Sequence, residues 1–177
     1  MSRCHGLARA IARGGLLSAF SIALWQGEAR AEDKEAFAKL ELGLATERSL
    51  NGEGPSLGAS VAVEFEAIKH QLEIEVGTQT LFGHGRTEWE TELVFKKPFD
   101  LSPNWEFAPG AGPVWIHTIS EGRTVNAIGA EAVAHFVYWP TRDRAYGFVF
   151  EPSYTYSFGT GHEQSLGFSV ALVIPLK

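Results

Sequence analysis

The sequence predicts an all-β fold, an antiparallel up-and-down barrel of eight strands, from three observations. From residue 37 onward, bulky apolar residues alternate with small or polar ones through eight segments, as strands whose successive side chains point to opposite faces do. Short runs of turn-forming residues separate the segments, which suits antiparallel hairpins. No stretch of useful length between them has helical periodicity. Such a meander carries two unpaired edges, and closure into a barrel removes both.

The first strand, at 37–46, sets Leu40, Leu42 and Leu44 against Glu41 and Gly43, and SLNGEGPS ends it. The second, 57–68, sets Val61, Val63 and Phe65 against Ser60, Ala62, Glu64 and Glu66, with a tight reversal at Ile68-Lys69-His70. The third, 70–81, alternates Leu72, Ile74 and Val76 with Glu73, Glu75 and Gly77 before FGHGR. Trp89, Leu93 and Phe95 oppose Glu88, Glu90 and Glu92 in the fourth, 87–97, which KPFDLSPN closes. The fifth, 104–117, places Trp105, Phe107 and Trp115 opposite Glu106, Gly110 and Gly112, and ISEGRT follows. The sixth, 126–139, carries Phe136 and Tyr138 on one face and Gly129, Glu131 and His135 on the other, up to PTRDR. In the seventh, 145–158, Phe148, Phe150, Pro152, Tyr154, Tyr156 and Phe158 face away from Gly147, Glu151, Ser153, Thr155 and Ser157. GTGHE leads to the eighth, 164–176, where Leu166, Phe168, Val170, Leu172 and Ile174 alternate with Ser165, Gly167, Ser169 and Ala171.

Volume decides which face points inward. An eight-stranded barrel has an interior just wide enough for side chains to fill. Two dozen large apolar residues would overfill it, whereas glycine, alanine, serine and some glutamate fit. The aromatic face therefore points outward, where water would drive aggregation and lipid would not. Strands of this length with apolar-out, polar-in alternation are the signature of bacterial outer-membrane barrels. Trp89, Trp105, Trp115, Tyr138, Tyr146 and Tyr156, with Trp139 and Phe158, lie mostly toward strand ends, where aromatic girdles belong. A periplasmic, lipocalin-like carrier is the alternative, with Phe148 and Phe150 turned inward around a lipophilic ligand.

Residues 1–31 read as a signal peptide that is cleaved, and 32–177 as the barrel domain. Arg3, Arg9 and Arg13 form a basic lead, LLSAFSIALW an apolar core too short to span a bilayer, and Ala29-Arg30-Ala31 the cleavage pattern. The leader holds Cys4, the chain's one cysteine, so the mature chain contains no disulfide. The leader also holds Arg3, Arg9, Arg13, Arg30 and Glu28, and its removal leaves 11 basic against 20 acidic residues, net −9. This sign opposes nonspecific nucleic-acid binding.

FDLSPNWEFAPGAG and the terminal SLGFSVALVIPLK look like segments of the small eight-stranded outer-membrane β-barrel class. Residues 37–177 as a whole resemble that class, of which the OmpA transmembrane domain and OmpX are familiar members. The resemblance implies outer-membrane location, contact with outer-membrane lipid and the assembly machinery, and a structural or interaction role. It singles out no particular member and names no protein partner. Enzymes of the class, the lipid A palmitoyltransferase and deacylase, use histidine with serine and an acid. Neither family's local motif surrounds His135, Ser153 or Ser169, so no catalysis and no cofactor are expected.

Glu41, Glu64, Glu66, Glu73, Glu75, Glu88, Glu90, Glu92, Glu106, Glu131 and Glu151 share the polar face, with Lys39, Lys96 and His135 as the available counter-charges. Inside a lumen so many acids cannot all ionise cheaply without water, a shared proton or a cation. Glu41, Glu131 and Glu151 fall near mid-strand and, with His135, form the expected acidic cluster, Glu131 and Glu151 as close neighbours. His84, His117 and His162 would gather with Glu121 and Glu163 at one rim, a candidate site for zinc, copper or nickel.

Overall fold

The computed structural model describes residues 37–51, 54–83, 85–120, 122–159 and 161–176. The predicted leader and its cleavage site lie outside the described residues. The strands are β1 (Ala38–Ser49), β2 (Pro55–Ile68), β3 (Leu72–Gly83), β4 (Arg86–Lys96), β5 (Phe99–Ser102), β6 (Trp105–Ser120), β7 (Arg123–Tyr138), β8 (Gly147–Ser157) and β9 (Gln164–Leu176). Apart from the short β5 they run antiparallel in the order β4-β3-β2-β1-β9-β8-β7-β6, and pairing of β4 with β6 closes the ring. The eight long strands are the predicted ones, and each pairs with its neighbour in sequence, the first with the last. The chain is an all-β, closed antiparallel barrel of eight long strands, of 11 to 16 residues each.

The faces divide as volume requires. Leu44, Ile128 and Trp115 stand outward at 64, 64 and 51 % exposure, in a belt with Leu57, Phe82, Trp89, Phe148, Phe150 and Phe168. Phe148 and Phe150 thus face outward, the reverse of the apolar-inward arrangement that a lipocalin-like carrier needs. Inside lie glutamates, small residues and a set of branched aliphatics, among them Val94, Val114, Val137, Val149 and Val173.

Strand ends shift by a few residues from the sequence expectation, as where β6 runs to Ser120 and β7 starts at Arg123, and three differences bear on the interior. β1 continues through Ser49 rather than ending at 46, because its ladders with β2 and β9 run on to Arg48 and Ser49. This extension carries Glu47 into the lumen. The predicted turn KPFDLSPN contains β5, which pairs Phe99 with Phe107 and Asp100 with Glu106. Trp139 is buried rather than part of the outer belt, and it packs with Val137, Val149, Ala171 and Val173. Its backbone exchanges hydrogen bonds with Asn104, N–H to carbonyl at 2.8 Å and carbonyl from Asn104 Nδ2 at 2.6 Å. Arg144 lies 5.6 Å from its ring.

The other tryptophans and the tyrosines among the described residues hold the outer face. Near the barrel end that carries the chain termini, Trp105 packs against Tyr138 and Phe150, Phe107 stacks on Phe136 at 4.7 Å, and Tyr146 meets Phe148 edge-on. Toward the opposite end stand Trp89, Trp115 and Tyr156, the last edge-on to Phe158.

Candidate functional site

The lumen is the place where the chain concentrates chemistry, and strand register assembles it. In the half nearer the termini, β1 pairs Lys39 with Glu64, and β2 pairs Glu64 with Glu75 across to β3. Two carboxylates directly opposite each other repel, and Lys96 from β4 resolves the conflict. Its Nζ donates to Glu75 Oε2 at 2.6 Å and also contacts Glu64 Oε2. Lys96 lies opposite Gly110 on β6, where a Cβ would meet its Cγ, so the glycine makes room for the lysine stem. Lys39 Nζ donates to Glu73 Oε1 at 2.9 Å and Glu106 Oε1 at 3.2 Å, and lies 2.6 Å from Glu64 Oε1. Arg144 adds contacts to Glu106 and Asp100 at the mouth. Lys96, Glu64 and Glu75 are almost completely buried, so the pairing of charges compensates for lost hydration.

At mid-height, His135 from β7 stands between two carboxylates. Val133 pairs with Ser153 and Phe136 with Phe150, a register that sets His135 against Glu151 on β8. Nδ1 donates to Glu151 Oε2 at 2.6 Å, while Nε2 is 3.5 Å from Glu41 Oε1 on β1.

The half nearer the loops is acidic with little compensation. Glu92 lies opposite Gly77 and Glu131 opposite Gly112, so each carboxylate occupies space beside a residue without a side chain. A Cβ at Gly77 would strike the Glu92 carboxylate. Glu47, Glu88 and Glu90 form a second group, in which Thr118 donates to Glu88 at 2.7 Å and Gln79 donates to Glu90. Arg86, 3.7 Å from Glu88, is the base among the described residues that reaches this half.

These side chains block the bore. A recess of about 610 Å³ opens at the end carrying the termini, floored by Lys39, Glu106 and Trp139. Deeper spaces are about 30 and 20 Å³, lined mainly by carboxylates and hydroxyls, roughly the room of one water molecule.

Of the predicted acidic cluster, the structure brings Glu41 and Glu151 together through His135. Glu131 pairs in register with Thr155, four residues further along β8 than Glu151, and it lines the same small cavity as Glu41, Glu92, Glu151 and Ser153. Lys39, Lys96, Glu64 and Glu75 were legible as members of the polar face, but their pairing depends on register between distant segments. Glu47 was missed because β1 is longer than its alternation suggested.

The predicted rim histidines occupy different surroundings. His84 and Glu121 lie outside the described residues. His117 sits on the outer face between Trp89 and Trp115, with Nδ1 2.7 Å from Asn126 Oδ1. His162 stacks on Tyr156, whose hydroxyl is 3.1 Å from its Nδ1. Among the described residues, neither belongs to a group of convergent ligand-type side chains.

No family model matches the chain, and no curated protein matches it in sequence. Solved structures do. Neisserial surface protein A (NspA) superposes with a TM-score of 0.63 at 12 % identity, over 78 % of this chain and 96 % of that one. Ail, the attachment invasion locus protein of Yersinia pestis, solved with the heparin analogue sucrose octasulfate, gives 0.55 at 13 %, over 79 % and 98 %. The outer membrane protein OprG of Pseudomonas aeruginosa gives 0.52 at 9 %, over 80 % and 94 %. At these identities the likeness is one of fold, that of small outer-membrane barrels.

Proposed function

We propose that the chain is a bacterial outer-membrane barrel, exported by residues 1–31 and inserted as 32–177, with a structural or interaction role. The observation that carries the reading is the continuous belt of exposed Leu, Val, Ile, Phe and Trp side chains around a charged interior. A belt of this extent is stable in hydrocarbon and unstable in water, and the fold it shares with NspA, Ail and OprG supports the same placement. Insertion of such a strand set implies engagement with the outer-membrane assembly machinery. Both termini leave the same barrel end, which on this reading faces the periplasm, and the Glu47, Glu88 and Glu90 half then faces outward from the cell.

The reading assigns neither general conductance nor catalysis. Lys39, Lys96 and Glu64 in the half nearer the termini and His135 at mid-height fill the bore, so planar bilayers containing the protein should show no stable, large conductance. His135 Nδ1 is committed to Glu151 and its Nε2 has no hydrogen-bond partner, so no serine is joined to it as a nucleophile would be. Fractionation tests the location. The mature chain should sediment with outer membranes, run with heat-modifiable gel mobility, and lose tryptophan fluorescence to lipid-borne quenchers. Recovery in the soluble periplasm with unquenched tryptophan would overturn the proposal.

A further inference from the structure

The interior bases leave two touching carboxylates without a partner. Lys39, Lys96 and Arg144 pair with Glu64, Glu73, Glu75 and Glu106, and His135 stands between Glu41 and Glu151. Among the described residues no ion pair reaches Glu92 or Glu131, which lie within hydrogen-bonding distance of each other. An ionised carboxylate only accepts hydrogen bonds, so this contact requires a proton or a cation between the two. Glu131 is 5 % exposed and its Oε2 has no hydrogen-bond partner, a costly state for a buried oxygen. The strands make room for the pair, since Gly77 lies opposite Glu92 and Gly112 opposite Glu131. Both carboxylates line the cavity of about 30 Å³ at mid-lumen, roughly the space of one water molecule.

We propose that this cavity binds one monovalent hard cation, sodium, between the Glu92 and Glu131 carboxylates. Its polar lining offers oxygen ligands and contains no lysine, arginine or histidine. Ser60, Ser153 and Ser169 contribute hydroxyls, and Gln79, whose amide N–H goes to Glu90, has its carbonyl oxygen left to give. Carboxylate, carbonyl and hydroxyl oxygens suit a hard cation. Size and charge both select a monovalent one. Magnesium keeps several of its waters and calcium takes six to eight oxygens, which a space for one water does not accommodate. Of the other acids on the cavity, Glu41 and Glu151 are matched by His135 and Glu75 by Lys96, so the surplus negative charge belongs to Glu92 and Glu131, and the bases behind their neighbours oppose a second positive charge. Glu47, Glu88 and Glu90 stand nearer the loops, so a cation entering from that end is drawn along carboxylates. The rival account is a single proton shared by Glu92 and Glu131, with water on Glu131 Oε2.

The test uses the folded barrel in detergent, prepared in choline chloride and titrated with sodium chloride at constant ionic strength. Sodium-23 NMR should show saturable broadening from about one bound ion per barrel, the number that a one-water space admits. Infrared difference spectra of the same samples should show the band of a protonated carboxylic acid in choline, lost as sodium enters and the shared proton leaves to solvent. Glu131→Gln and Glu92→Gln should each abolish the saturable broadening, and exposed Glu66→Gln should leave it unchanged. Both lumenal variants should fold, because an amide N–H can donate to the remaining carboxylate where a second carboxylate cannot. Absence of saturable broadening, its retention in Glu131→Gln, displacement of sodium by an equal concentration of calcium, or a protonated-acid band that persists at the highest sodium concentration overturns the proposal. If a variant fails to fold, the wild-type sodium and infrared titrations decide alone.

Discussion

Replacing Lys96 with methionine removes one ammonium group while keeping most of the stem that fills the space beside Gly110. Lys96 is buried, donates to Glu75 Oε2 at 2.6 Å and contacts Glu64. Its loss strips Glu75 of its cation and leaves Glu64 to Lys39, which already holds Glu73 and Glu106. Breaking a buried pair from one side costs about 3–5 kcal/mol, of which the charge-assisted hydrogen bond accounts for about 1.5–3 kcal/mol. The remainder is the cost of a carboxylate stranded out of water. Because methionine conserves volume, the cavity contribution is small. Lys96→Met should therefore destabilise the barrel by about 3–5 kcal/mol. Adding Glu75→Gln removes the stranded charge, so the double variant should be less destabilised than the sum of the singles by about 0.5–3 kcal/mol. Reversible urea unfolding from lipid vesicles, followed by tryptophan fluorescence, measures both. A single variant within about 0.5 kcal/mol of wild type, the range of an ordinary surface substitution, would refute the account of Lys96 as the cation that joins Glu64 to Glu75. So would strict additivity in the double.

The same unfolding assay separates two glutamates. Glu131→Gln should be neutral or stabilising, since Glu92 and Glu151 line the same small cavity and no ion pair to a base is formed by it among the described residues, whereas Glu151→Gln weakens the bond to His135 and should cost about 1–3 kcal/mol. Leu44→Arg, at mid-strand on the outer belt, should cost about 2–4 kcal/mol and Leu57→Arg, near a strand end, about 0–1 kcal/mol; equal and negligible costs would contradict a lipid-facing belt. Gly43→Val would place a Cβ 2.6 Å from the Val170 carbonyl oxygen and 2.7 Å from Ala171 Cβ, so overpacking of about 1–3 kcal/mol is expected. A wild-type midpoint for that variant would show that the β1–β9 contact relaxes freely.

The strand pattern was legible because alternation is a local property. Each of the eight long strands could be read from a window of about ten residues, and the outward belt from Trp89 to Phe168 followed from volume alone. The misplaced elements had weak or conflicting local signals. β5 lies within a segment whose prolines and Asp-Leu-Ser-Pro-Asn read as turn, and it forms because β6 offers Phe107 and Glu106 as ladder partners. Trp139 follows Tyr138 by one residue and so takes the opposite face, where Asn104 and Arg144 hold it over the lumen. An aromatic at a strand end reads as girdle in sequence; its parity assigned it to the inside.

Sequence alone determined that this chain segregates bulky apolar residues from acids and glycines over eight strands, and that Lys39, Lys96 and His135 would be the scarce bases among many glutamates. Tertiary structure decided which acid each base meets. Lys39 reaches Glu106 across 67 positions of chain, His135 gathers Glu41 and Glu151 from the first and the seventh long strands, and Glu131 shares a small cavity with Glu92 as well as with Glu41 and Glu151. The physical reason is that a side chain's face follows from its own position in the chain, whereas its height around a closed barrel depends on the register of every strand between it and its partner.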